Sequence, residues 1–413
     1  MQISIVMPTL NQGNFIDESL RSIFSQSIPN LEVIVIDGLS NDGTIDKLQA
    51  WQKKYPKEFR WISIKDSGPA EAVNRGLDLA QGEFIGWLNS DDLYHPQIFS
   101  MVLDFFKKNS SIQAVYGKGE HIDEDGHFIS DYPTKMPQVS IDNFLEGSFI
   151  CQPTFFFRKV LLSKIGLLDT TLKVSFDFDW WIRFFKTLPN EIGFIDEVLA
   201  SSRLHTQCLT KKERRLVAIE GMKVLKRHFD PAPVTWALTY IDEVCSAYPF
   251  IDDERSLVNI IESFLTEIKA FILKADLDLL VKQLQSDRRL KLSNKYLSTN
   301  VSPDGWISQK GLIRLRKLRD FKFQYIEVEL LGGWPISKLI PITISIGSKV
   351  LYQGNIDTKK IIKFKLEVPK LPSDNFSEWL IETEDFFIPS EIDKTSQDHR
   401  RLSFMINTIK LIE

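Results

Sequence analysis

Four short apolar runs open the chain: "ISIVM" (3–7), "LEVIVI" (31–36), "RWISI" (60–64) and "EFIGWL" (83–88). They are rich in β-branched and aromatic residues, which suits strands buried on both faces. Between them lie "GNFIDESLRSIFSQ", "GTIDKLQAWQKKY" and "PAEAVNRGLDLA", each with apolar residues at helical spacing. Strand alternating with helix predicts an α/β domain whose parallel sheet is built from right-handed βαβ units. The pattern loosens from about 110 to 205. There "AVYGKGEHIDEDGHFI" predicts a hairpin turning at Glu-Asp-Gly, "SFDFDWWIRFFKTL" an amphipathic helix and "IGFIDEVLASSRLH" a strand.

A helix is predicted over 211–229, "KKERRLVAIEGMKVLKRHF", and "DPAPVT" then breaks the chain. Helical periodicity continues over 234–295. From about 298 the texture changes to "YIEVELLGG", "ITISIGSKVLYQGNI", "IIKFKLEVP" and "RLSFMINTIKLI". Alternating runs broken by Gly, Pro and Asn predict a small antiparallel β-sandwich. The expected organisation is a catalytic domain over 1–230, a helical linker over 231–297 and a β-sandwich accessory domain over 298–413.

Composition narrows the function. A chain of 413 residues, 43% of them hydrophobic, can core two or three domains. The formal net charge of −4, with no long basic tract, argues against a nucleic-acid partner. No apolar run approaches a membrane span, and "MQISIVMPTL" reads as an opening strand rather than a secretion signal. Cys151, Cys208 and Cys245 are few and widely spaced, which fits a reduced, cytoplasmic setting without disulfides or a zinc ribbon.

Polar residues follow every predicted strand of the sheet: Thr9 and Asn11 after the first, Asp37 after the second, Asp66 after the third, Asn89 to Asp92 after the fourth. Any one of these is an ordinary loop start or cap. Four in succession mark the crevice beyond the strands' carboxyl ends, where open α/β sheets bind ligands. The first turn, "PTLNQGNF", holds one glycine, so neither G-x-G-x-x-G nor G-x-x-x-x-G-K-[ST] is present. With no glycine nest for phosphate, a Mg²⁺ or Mn²⁺ ion bridging carboxylates to a diphosphate is the natural substitute. The adjacent Asp91 and Asp92 suit that cation.

"SIVMPTLNQGNFIDESLRSIFSQ", "LEVIVIDGLSNDGTIDKL", "KDSGPAEAVNRGLDLAQGEFIGWLNSDD" and "CQPTFFFRKVLLSKIGLLDTTLKVSFDFDWWIRF" together resemble glycosyltransferase family 2. The resemblance runs through about residues 1–228 and implies an inverting enzyme with the Rossmann-like GT-A fold and a nucleotide-sugar donor, commonly UDP-linked. It implies that Thr9, Asp37, Asp66 and Asn74 line the base site, that Asp91 approaches the ribose, and that Asp92 binds a Mn²⁺ or Mg²⁺ ion. His205 would complete the metal or diphosphate site. The first position of "NSDD", Asp in many relatives, is Asn89 here.

Inverting transfer also needs a base for the acceptor hydroxyl. The family pattern puts it at Asp177, preceded here by Phe176 rather than Glu. Asp179 is the alternative, unless it caps the helix or pairs with Arg183 at i+4. Of Trp180 and Trp181, one is expected in the core and one on the acceptor, and Gln152 is expected to face the acceptor too.

The ending "DHRRLSFMINTIKLI" resembles β-sandwich modules attached to some bacterial glycosyltransferases. Such a module could bind glycan through Trp306 or Trp334, or serve as a spacer or homo-oligomer contact. The expected function is sugar transfer to a glycan or lipid-linked acceptor in cell-surface polysaccharide synthesis, with at most peripheral contact at the inner face of the plasma membrane. The alternatives are a metal-dependent sugar nucleotidyltransferase, which would want a basic phosphate loop after the first strand, and a non-catalytic glycan-binding protein.

Overall fold

The structure is a computed structural model that describes residues 2–247, 256–292, 297–299, 301–302, 304–316, 324–368 and 376–412. The chain forms two compact units, Met1–Pro233 and Val234–Glu413.

The first unit opens with β1 (Ile3–Thr9), α1 (Ile16–Phe24), β2 (Leu31–Asp37), α2 (Thr44–Lys54), β3 (Phe59–Ser63), α3 (Pro69–Leu79) and β4 (Phe84–Trp87). These strands lie in the order β3-β2-β1-β4, all parallel, as the alternation predicts. Every residue of β1 and β2 is buried. β3 is the edge strand, and of its residues only Phe59 is buried. Leu20 and Ile23 of α1 and Leu48 of α2 share one core with Ile5 and Val33. The opposite helix, α3, packs so closely that a Cβ on Gly76 would fall 2.3 Å from Val6 Cγ1.

The sheet continues through β5 (Leu93–Tyr94), α4 (Ile98–Lys108), β6 (Ala114–Ile122), β7 (Phe128–Asp131), β8 (Phe156–Arg158), the short helix α5 (Leu162–Ile165), α6 (Phe176–Thr187) and β9 (Ile192–Arg203). β8 runs antiparallel to β4 and β6, β9 is parallel to β6, and β5 is antiparallel to β9. β6 and β7 form the predicted hairpin. The helix predicted over 211–229 is two helices, α7 (Leu209–Lys212) and α8 (Arg214–Phe229).

Helix α6 departs from expectation. It is buried almost all round, with Phe176, Phe178, Trp180, Trp181, Ile182, Phe184 and Phe185 all enclosed. Trp180 lies 5.3 Å from Phe157, and Trp181 4.3 Å from Phe155, between ring centroids. Both tryptophans are therefore core residues, and neither is left for an acceptor.

The second unit begins with α9 (Thr235–Ala247), α10 (Leu257–Ile268), α11 (Lys274–Ser286) and α12 (Arg288–Leu292). The rest of the helical pattern read over 234–295 lies partly outside the described residues. Then come β10 (Leu297–Thr299), β11 (Trp306–Ile307), β12 (Lys310–Arg316), β13 (Tyr325–Leu331), β14 (Leu339–Ile346), β15 (Lys349–Asp357), β16 (Ile361–Glu367), β17 (Phe376–Glu382) and β18 (Phe404–Ile412). They make two sheets, β10-β12-β17-β14-β15 and β11-β18-β13-β16, antiparallel throughout. Ile313, Val328, Ile342, Trp379 and Phe404 belong to the one core that both sheets bury. Trp334 is in that core, its indole N–H donated to the Ser403 carbonyl, so it is not an exposed sugar platform. Trp306 packs edge-on against Phe387. Among the described residues no helix is long and apolar enough to cross a membrane.

Candidate active site

The loops beyond β1 and β2 are stitched together by short polar side chains. Ser40 Oγ accepts from the Asn11 N–H at 2.7 Å, Thr44 Oγ1 from Gln12 at 3.1 Å, and Asp42 Oδ2 from Gly13 at 2.7 Å. Asn11 returns the contact, its Oδ1 accepting from the Asn41 N–H at 2.9 Å. Such residues bond backbone more readily than they continue a strand. Within this frame Thr9 is buried, and its hydroxyl has no partner among the described residues. Buried hydroxyls are seldom left without one. Asp37 is fully buried; it accepts from the Leu39 and Ser40 N–H groups and from Ser63 Oγ at 2.6 Å. Asp66 accepts from the Gly68 N–H at 3.0 Å and stands over Gly38, whose added Cβ would meet Asp66 Oδ2 at 3.1 Å. Burial raises its carboxyl above the ordinary value.

Asn74 bonds to a different segment. Its amide nitrogen donates to the Leu168 carbonyl and its oxygen accepts from the Leu168 N–H, both at 2.9 Å. Both ends of the side chain thus hold the strap of chain at Leu168.

The acid pair divides its work. Asp92 is 3% exposed: Oδ1 accepts from the Arg203 N–H at 2.8 Å and Oδ2 from Asn89 Nδ2 at 3.2 Å. Burial, with Asp91 beside it, holds the Asp92 carboxyl well above the usual carboxylate range. Asp91 is the member that meets His205, with Oδ2 2.9 Å from Nε2. The His205 ring packs on Phe15, centroids 4.8 Å apart. His205 thus comes to Asp91, not to Asp92. Gln152 closes the far side with both ends of its amide occupied: it donates to the Trp87 carbonyl at 2.7 Å and accepts from Asn89 at 3.0 Å. Among the described residues, three potential metal-ligating side chains also gather at Asp123, Asp125 and His127, on the exposed β6–β7 turn.

At the start of α6, Asp177 Oδ1 accepts from the Phe178 N–H at 2.7 Å, and burial pushes its carboxyl up to about 6. The phenol of Tyr132 is held above its usual range by burial, with Cys151 and Asp177 adding to the effect. Glu220 of α8 is buried against the loop entering α6 and accepts from the N–H groups of Lys173, Val174 and Ser175 at 2.8–3.1 Å. Lys173 Nζ donates to the Ser67 carbonyl at 2.8 Å, which ties that loop to the one carrying Asp66. Glu220 and Arg203 carry no sequence signal, because their partners lie in distant segments.

Residues 4–166 match the family model described as Glycosyl transferase family 2. The chain is 31% identical over 209 residues to an uncharacterized glycosyltransferase of Rickettsia typhi, covering 49% of this chain and 64% of that protein. It is 36% identical over 223 residues to the chondroitin synthase of Escherichia coli, covering 54% of this chain and 32% of that one. The chain thus spans less than two thirds of the length of these relatives. Among solved structures, S. aureus TarS superposes at a TM-score of 0.47 with 16% identity, covering 100% of this chain and 77% of that one. The residues that match this family model, 4–166, lie within the N-terminal unit, which holds the strand-end loops and the acid pair.

Proposed function

We propose that the chain is an inverting glycosyltransferase that moves a sugar from a nucleotide-sugar donor, UDP-linked, to a hydroxyl of a glycan or lipid-linked acceptor in cell-surface polysaccharide synthesis. The observation that carries this reading is the meeting of Asp91 and His205 beyond the parallel strands. Two protein ligands are what Mg²⁺ or Mn²⁺ needs when substrate phosphates and water supply the rest of its octahedron. Asp91 fits this role better than Asp92, whose oxygens already serve the Arg203 peptide and Asn89. A cation held there supplies Lewis-acid screening of the charge on a departing diphosphate. The orphaned Thr9 hydroxyl and the Asp66 carboxyl face the base and ribose end of the donor, with Asp37 shaping the loop beneath them.

Asp177 takes the acceptor proton. The freed oxygen bonds to the anomeric carbon as the bond to the diphosphate oxygen breaks, and one displacement inverts that centre. Supporting this assignment is its raised carboxyl, which accepts a proton more readily near neutral pH than an ordinary aspartate. The second unit serves as an accessory module, and the enzyme works in the cytoplasm with at most peripheral membrane contact.

Incubation with a panel of nucleotide sugars and Mn²⁺ tests the reading. Release of nucleoside diphosphate, lost on adding EDTA, is the expected result. With pyrophosphate added, formation of nucleoside triphosphate and sugar 1-phosphate would make the protein a nucleotidyltransferase, and no turnover a glycan binder.

A further inference from the structure

We propose that Arg203 is the positioning residue of the acid pair, fixing Asp91 where it and His205 can take a cation. This rests on the reading of Asp91 and His205 as cation ligands. Arg203 ends β9 and is 2% exposed. It grips both acids in different ways. Its peptide N–H donates to the Asp92 carboxylate at 2.8 Å, and its side-chain Nε donates to the Asp91 carbonyl at 2.8 Å. The rest of the guanidinium reaches two further segments. Nη1 donates to the carbonyls of Asp123 and Glu124 at 3.2 and 2.8 Å, and Nη2 to Glu18 Oε2 at 2.7 Å. Its central carbon sits 5.1 Å from the centroid of Phe15, the same ring that packs on His205.

A buried cation is costly unless its donors are met. One half-exposed carboxylate would repay a surface arginine, yet here three carbonyls from two turns are recruited as well. A rigid planar fork can bridge α1, the Asp91 turn, the β6–β7 turn and β9 at once. An ammonium on a flexible stem cannot. Groups that orient metal ligands in this way are worth about 10–100-fold in metal affinity. Donor contacts at Thr9 and Asp66 do not pass through Arg203, so metal-free nucleotide binding serves as the internal control.

Mn²⁺ binding in the presence of UDP, followed by electron paramagnetic resonance, is compared with UDP binding in EDTA by calorimetry. In R203K, Mn²⁺ affinity is expected to fall by about 10–100-fold while metal-free UDP affinity holds within about twofold. Equal Mn²⁺ affinity in wild type and R203K would overturn the inference, as would a parallel loss of metal-free UDP binding. Failure of the wild-type protein to bind Mn²⁺ would instead remove the cation reading beneath it. If circular dichroism shows R203K unfolded, E18A decides, since it removes the acceptor of the Nη2 contact at a half-exposed carboxylate and leaves the other Arg203 contacts in place. A loss of threefold or more in Mn²⁺ affinity, about 0.6 kcal/mol, supports the inference, and no loss overturns it.

Discussion

Asp177 and Asp179 stand two residues apart in the first turn of α6, and their surroundings drive them in opposite directions. Asp179, 1% exposed, receives Arg183 Nε at 2.9 Å, Arg227 Nη1 at 3.0 Å and His228 Nε2 at 2.9 Å. Burial alone would raise its carboxyl, but the His228 hydrogen bond and the two arginines outweigh it and hold it low. Asp177 has the Phe178 N–H and its own peptide N–H, and no charged partner among the described residues, to offset burial and rises to about 6. One carboxylate is locked as a structural anion, and the other is left basic.

Substitution separates the two. Asp177→Asn should lower transfer by about 10²–10⁴-fold, the usual contribution of a general base, while nucleotide binding by calorimetry stays at the wild-type value. Asp179→Asn leaves Arg183 and Arg227 facing an uncharged amide and should cost about 3–5 kcal/mol of stability in urea unfolding. Transfer at the wild-type rate by the Asp177→Asn enzyme would remove the base assignment.

The raised Asp177 carboxyl also fixes two pH dependences. Transfer requires the ionised form, so the rate should fall as pH drops below about 6, and the Asp177→Asn variant should lose that limb. For stability the sign is reversed. Proton binding favours the folded state, so the contribution is full below the ordinary carboxylate value and is lost as pH rises through about 6. Thermal melts should accordingly show Asp177→Asn gaining on wild type at pH 7 and not at pH 4.

Asn74→Ala tests the strap. Removing the amide leaves the buried N–H and carbonyl of Leu168 unpaired, at about 1–3 kcal/mol for each stranded group. A drop in the urea midpoint at unchanged slope is the expected outcome. Metal-free UDP affinity should change little, whereas a direct base contact would make affinity fall and leave the midpoint in place.

Glu220→Gln probes the entrance to α6. The amide oxygen can still accept, but without the charge that three peptide N–H groups now share. Transfer should slow by about 10-fold or more, since small misplacement of a reacting group is costly, with donor affinity preserved. A fall in donor affinity at constant turnover would contradict this.

The chain states its parallel strands openly, because a buried strand such as Ile3–Thr9 needs only its own apolar run and the helix after it. Residue types at strand ends and at the start of α6 were equally plain. Their division of labour was not. Asp91 and Asp92 differ because β9, more than a hundred residues later, brings His205 to one and the Arg203 peptide to the other. Asp179 is neutralised partly by Arg227 and His228, 48 and 49 residues on, and Asn74 finds its partner 94 residues away. Trp180 and Trp181 look alike as candidates for sugar stacking, and only Phe157 in β8 and Phe155 just before it show that both are enclosed.

The stitching of residues 11–13 to residues 40–44 bears on how a guest is received. Those segments have already surrendered their freedom when the protein folds, so little remains to be frozen on arrival. Recognition at that end should resemble a key entering a set lock, with fast association and hardly any change in the pattern of protease cleavage.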